Sequence, residues 1–258
     1  MASQQPPAKS GPAAPTAAGA ASGLEGLAAV LAERSEPACP AAPLLRAVPA
    51  RLGALSERYE SGGRGPGTVS SGLRDPGGVS YGLYQMASRT GTVAAFLAAE
   101  GVRWSRDFAG RAPGTPAFGA QWQAVAARDP AVFAEAQHAF IERTHYRPLV
   151  QAVQKATGFD IDARSSALRD ACWSCAVQHG AAARLVLQAL TRAEGACPRT
   201  EPGFDRALIT ALYSARSAYV EGLAARADPG TRRTMQDIVR RRYPDELARA
   251  LAMLPAAA

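Results

Sequence analysis

Tyr59 to Gln85 reads Y-E-S-G-G-R-G-P-G-T-V-S-S-G-L-R-D-P-G-G-V-S-Y-G-L-Y-Q, and the remaining chain is organised around this stretch. Glu60 closes an apolar-periodic segment, Asp75 follows in a Gly/Pro-rich turn, and glycines at 62, 63, 65, 67, 72, 77, 78 and 82 separate and flank them. Glycine adopts positive φ and lets another molecule approach the backbone closely, so this density predicts a tightly turned hairpin lining a groove. The two carboxyl groups make the stretch a candidate active site.

The flanks carry helical signals. Upstream, Leu45, Val48, Leu52 and Leu55 recur at three- and four-residue steps over 44–59, and a first helix is expected over 24–33. Residues 1–22, made of Ala, Pro, Gly, Ser and Gln with one lysine, are expected to form a disordered tail, leaving 23–258 as one catalytic domain. Short extended pieces are expected at 68–71 and 79–84. Beyond them the pattern predicts helices over 92–100, 116–128, 130–156, 165–179, 181–193, 204–227, 231–241 and 245–253. The Asp-Pro pairs at 129–130 and 228–229 suit helix starts, since proline is tolerated in the first turn. The expected fold class is mainly α, with one small β element at the suspected site.

Composition narrows the function classes. With 258 residues, 47% of them hydrophobic, the chain can bury a sizeable core. It shows no apolar run of the roughly 18 residues a membrane span needs, and its start lacks a secretory signal pattern. The net charge is +7, and of 29 basic residues only Lys9 and Lys155 are lysines. Such a field attracts polyanions, including nucleic acid, anionic lipid and carboxylate-rich cell wall. No nucleic-acid motif or basic-aromatic alternation accompanies it, so no specific nucleic acid is expected. Cys172-Trp-Ser-Cys175 has redox spacing but lies in a helical pattern without a preceding strand, which predicts two buried thiols. Cys39 and Cys197 each sit in Ala-Cys-Pro. Four cysteines allow three full pairings, and sequence does not choose among them.

Glycoside hydrolysis needs two carboxyl groups flanking the scissile bond, one protonated and one ionised. Glu60, beside Tyr59 at an apolar helix end, is read as the acid. Asp75, in a turn read as open to solvent, is the ionised base. His138 and His145, seven apart on one expected helix, have no third ligand in sequence, so no metal or cofactor is expected. Arg240, Arg241 and Arg242 read as a solvated helix end.

The motifs E-S-G-G-x-G-x-G-x-V-S (from Glu60) and D-P-G-G-V-S-Y-G-L-Y-Q (from Asp75) resemble those of lysozyme-like muramidase domains. Such domains occur in type VI secretion spike proteins and effectors and in phage lysins, and are distantly related to family 46 chitosanases. The runs W-S-C-A-V-Q-H-G (173–180) and R-R-Y-P-D-E-L (241–247) extend the resemblance over about residues 50 to 254. It implies two helical lobes with a β-hairpin at the cleft, and a metal-free muramidase cutting peptidoglycan with Glu60 and Asp75. Ser80, Tyr81, Gln85 and His179 are the candidate substrate-binding residues. The alternatives are a lytic transglycosylase, a chitosanase-like glycosidase, or an inactive wall-binding module. The resemblance further implies a secretion-spike carrier, a cognate immunity protein, synthesis in the bacterial cytoplasm, and action in the periplasm or wall of a target cell.

Overall fold

A computed structural model describes residues 52–55, 65–73, 75 and 77–255. The expected tail, the helix over 24–33, most of the segment over 44–59, Cys39 and Glu60 lie outside these residues.

The β element is small. Strands β1 (Ser80–Tyr81) and β2 (Met86–Ala87) pair antiparallel, with Ser80 opposite Ala87 and Tyr81 opposite Met86. Val69 bridges Tyr81 from the other side, and the Gly82 N–H donates to the Thr68 carbonyl at 2.8 Å. The two expected extended pieces therefore do pair. The second ends at Tyr81 rather than Tyr84, because the chain turns back at Gly82 (φ 77) and continues through Gln85 (φ 51). A Cβ at Gly82 would lie 2.2 Å from Gln137 Oε1, so backbone angle and space both demand glycine there.

Helices α1 (Thr92–Ala98), α2 (Pro116–Arg128) and α3 (Pro130–Ile141) follow, with a 3-10 segment at Val102–Phe108 between the first two. They enclose an aromatic cluster centred on Trp122, whose ring lies 4.7 to 6.3 Å from those of Tyr81, Phe96, Phe108, Phe118 and Phe133. Pro116 and Pro130 both occupy first-turn positions, as the sequence predicts. Asp129 does not cap α3 with its side chain; its Oδ2 accepts instead from Trp104 Nε1 at 2.8 Å, tying the 3-10 segment to the helix junction.

The expected long helix over 130–156 is α3 and α4 (Arg147–Thr157) joined by a π turn at Glu142–Tyr146. A second π turn, Ile238–Arg242, joins α8 (Pro229–Asp237) to α9 (Tyr243–Ala252), so two helices expected as separate are one continuous run. In both places a proline follows as the second residue after the wide turn, Pro148 and Pro244. A proline inside a helix lacks the N–H its predecessor carbonyl needs and crowds the turn before it. A widened turn accommodates both defects without ending the helix.

Between these runs, α5 (Ser166–Gln178) is buried on nearly every side, which marks it as the central helix; α6 (Ala182–Ala196) and α7 (Phe204–Ala224) pack around it. Cys172 and Cys175 on α5 are buried free thiols, as expected, and Cys197 is half-buried and free. Arg240 and Arg241 are exposed, but Arg242 is buried and its Nε donates to Glu246 Oε1 at 2.9 Å. The solvated reading fails for Arg242 because the π turn rotates it inward. The apolar residues of all these elements form one continuous core. No helix among the described residues is long and apolar enough to cross a membrane.

Candidate active site

Asp75 sits in a turn closed by its own groups. Its Oδ1 accepts from the Gly77 N–H at 2.7 Å, and its carbonyl accepts from Gly78 N–H at 2.9 Å and Arg89 Nη1 at 3.4 Å. The residue is only 4% exposed, contrary to the open, solvated position expected from the Gly/Pro composition. Burial raises the carboxyl above its usual range, while the Gly77 N–H and the Arg89 charge partly hold it down. Arg89 comes from the residues after β2, because the hairpin folds this side chain back over the Asp75 turn.

Ser80 is buried, and its N–H donates to Ser70 Oγ at 2.8 Å. Tyr81, on the opposite face, is fully buried with its ring edge-on to Phe118 at 5.0 Å and its hydroxyl accepting from the Gly114 N–H at 2.9 Å. Gln85 holds the hairpin turn: Nε2 donates to the Gly82 carbonyl at 3.2 Å, while the buried Oε1 has no hydrogen-bond partner among the described residues. Asp75, Ser80, Tyr81 and Gln85 thus belong to one hairpin unit.

His179 belongs to another neighbourhood. It follows the last turn of α5, buried, with Nε2 2.9 Å from the Tyr243 hydroxyl and its ring perpendicular to Tyr219 at 5.5 Å. The Tyr243 hydroxyl donates to Gln178 Oε1, which assigns the proton of the histidine contact to Nε2. Burial, reinforced by the Arg216 and Arg242 charges, holds His179 neutral, well below the usual imidazole range. His138 and His145 do not share surroundings: His138 pairs with the Tyr84 hydroxyl at 2.9 Å and stacks on Trp173, whereas His145 Nδ1 meets Thr144 Oγ1 at 2.7 Å. Among the described residues no cluster of three or more His, Cys, Asp or Glu side chains is placed to hold a metal ion.

Three residues that sequence reasoning missed fix the frame. Gln137, fully buried on α3, accepts from the Leu83 N–H at 2.9 Å and donates to the Pro66 carbonyl at 3.1 Å, pinning both arms of the hairpin region. Asp170 on α5 accepts from the Gly53 and Leu55 N–H groups, where Ala54 and Leu55 begin a helical turn. Burial and the Glu246 charge push its carboxyl up to about 6, against the pull of those donors. Trp173, one turn further on, lies against Gly53 (φ 94), where a Cβ would come within 2.7 Å of the indole nitrogen. The available signal was an aspartate followed directly by the apolar run A-C-W at 171–173 in a helical pattern.

Asp170 therefore anchors the backbone five residues before Glu60 in sequence. Asp170→Ala strips the acceptor from two buried N–H groups, and at about 1 to 3 kcal/mol per orphaned group the expected loss of stability is at least about 2 kcal/mol. Urea denaturation of the variant and wild type checks it.

A mainly helical domain with a short hairpin pinned against its helices and a carboxyl group enclosed in the turn leading into that hairpin is the class these observations define. The chain belongs to the family described as "Type VI secretion system spike protein VgrG3-like, C-terminal", whose profile matches residues 52–246. It is 41% identical over 139 residues to the Type VI secretion system spike protein VgrG3 of Vibrio cholerae serotype O1 (strain ATCC 39315 / El Tor Inaba N16961). That alignment takes in 54% of this chain and 13% of the Vibrio protein, so the chain corresponds to a small part of its relative's length.

Proposed function

We propose that this domain is a muramidase that hydrolyses the bond between N-acetylmuramic acid and N-acetylglucosamine in peptidoglycan. The observation that carries the reading is the enclosed Asp75 carboxyl beside the hairpin, within a family match that also spans Glu60. Glu60 acts as the general acid that protonates the leaving oxygen. Asp75 acts as the base that activates water, with inversion at the anomeric carbon. In that mechanism the two carboxyl groups stand about 6.5 to 9.5 Å apart with substrate bound. Burial of Asp75 serves this chemistry, because a carboxylate short of solvation is a stronger base than a free one.

The +7 charge favours a carboxylate-bearing wall polymer over the polycation a chitosanase must hold. The family assignment supports delivery on a secretion spike, action in the periplasm of a target cell, and a cognate immunity protein in the producer.

Digestion of purified peptidoglycan with mass analysis tests the reading. The expected products are muropeptides with free reducing ends and an inverted anomeric configuration. Products lighter by one water define a transglycosylase instead, and absence of any released product leaves only a wall-binding module.

A further inference from the structure

A groove of about 560 Å³ runs between α6 and α7, and its lining includes Arg184, Gln188, Thr191 and Arg192 from α6 with Ala218 and Tyr219 from α7. Positions 184, 188, 191 and 192 follow helical spacing and so share one face of α6. Ala218 leaves the room that a longer side chain on α7 would fill. The Arg184 guanidinium lies over the Tyr219 ring at 5.5 Å, and Arg192 Nη1 donates to Ser214 Oγ at 3.2 Å. No acidic side chain lines the groove, and neither arginine forms an ion pair among the described residues. Arg199, just beyond the end of α6, is by contrast paired with Glu194. The buried His179 ring, set perpendicular to Tyr219, backs the aromatic wall from inside.

From this arrangement we infer that the α6–α7 groove is a second, non-catalytic site that binds the carboxylate-bearing stem peptides of peptidoglycan. The inference rests on the substrate proposed above. Arg184 and Arg192 are eight residues apart, which at about 1.5 Å per residue separates them by roughly 12 Å along the helix axis. An extended peptide of about four residues covers the same span at about 3.3 Å each. Two arginines at that interval match two carboxylates of one short acidic peptide. Gln188 and Thr191 lie between them with side-chain groups that can bond its amides, and Tyr219 offers a flat apolar wall. The volume suits a small ligand. A site of this kind holds the enzyme on an insoluble polymer between cleavage events while leaving the glycan free for the hairpin site.

The test titrates the full chain with the soluble stem tetrapeptide and, in parallel, with the same peptide after amidation of its carboxyl groups, by calorimetry at low salt. Wild type and Glu60→Gln are expected to bind the free-acid peptide alike. Arg184→Ala/Arg192→Ala is expected to bind it at least tenfold more weakly, and the amidated peptide is expected not to bind. The double variant is further expected to cleave soluble glycan oligomers without stem peptides at the wild-type rate, but to be retained less on insoluble peptidoglycan. Equal binding of the amidated peptide, undiminished binding by the double variant, or affinity confined to an acidic protein partner overturns the inference. Peptide binding by a chain that cleaves no glycan would sink the muramidase reading while leaving the groove assignment standing.

Discussion

Glu60→Gln is expected to lower peptidoglycan turnover by about 10³-fold or more, and Asp75→Asn by about 10²-fold or more, as judged from reducing ends released under saturating substrate. Positioned proton transfer contributes roughly 10² to 10⁴ in rate, and glutamine at 60 can neither donate nor regain the proton that the leaving oxygen needs. The Asp75 arm is the sharper experiment because the structure gives that residue a competing role. Its Oδ1 closes the turn with the Gly77 N–H, and an asparagine oxygen can accept the same bond. The variant therefore keeps the turn and loses only the charge. Full activity in Asp75→Asn would reduce the residue to a turn former and point to chemistry by the glutamate alone.

The pH profile supplies a second readout of the same pair. A base works only when ionised, so activity falls as pH drops through its pKa. Since burial raises Asp75 above 3.8, the acid limb of kcat/KM is expected above that value. The limb is absent in the residual activity of Asp75→Asn. A limb at or below the free-carboxyl value would contradict the enclosed environment described here.

The largest stability effect is expected at Glu246. Arg216 and Glu246 are both 0% exposed, with Arg216 Nη2 3.2 Å from Oε2, while Arg242 donates to Oε1. Arg216 is held between the Tyr213 and Tyr243 rings, 4.6 Å from each centroid, and also donates to Ser174. One buried carboxylate thus answers two buried guanidinium groups. Glu246→Gln removes the carboxylate that Arg216 and Arg242 share, and breaking a buried pair in this way costs about 3 to 5 kcal/mol. For a domain of this size that corresponds to a fall in melting temperature of about 6 to 20 °C. Arg216→Met is expected to cost less, because Glu246 keeps Arg242 and the rings keep an apolar partner. The reverse order in chemical denaturation would mean that packing against Tyr213 and Tyr243, not charge balance, dominates the site.

Much of the fold was legible in sequence because its signals are local. Apolar spacing and Asp-Pro starts placed α2, α3 and α7 at the right first residues, and the glycine-laden stretch announced the turns around Asp75 and β1. What escaped depends on distant partners. The helices expected over 231–241 and 245–253 looked separate, yet a π turn carries one run through Pro244. Arg242 looked solvated, yet that same turn faces it to Glu246. Asp75 looked exposed because Gly and Pro usually are; its burial comes from side chains and backbone folded over the turn, Arg89 among them. Within the candidate site, Asp75, Ser80, Tyr81 and Gln85 share a hairpin that their contiguity made readable. His179 was recognisable by motif, but its surroundings are Tyr243 and Tyr219. Asp170 and Gln137 act across more than fifty residues of chain, a relation that periodicity does not carry.

Gln137 has a further consequence for how the molecule comes together. The carbonyl of Pro66 and the N–H of Leu83 are satisfied from α3, and Trp122 Nε1 adds another bond to Pro66 from α2 at 2.8 Å. A two-residue strand pair is too short to persist alone in water. These loops must then wait for helices made later along the chain, so the segment carrying the candidate site takes its shape near the end of assembly. A molecule threaded through a narrow conduit in unfolded form would lack the Asp75 hairpin until its helical scaffold had closed on the far side.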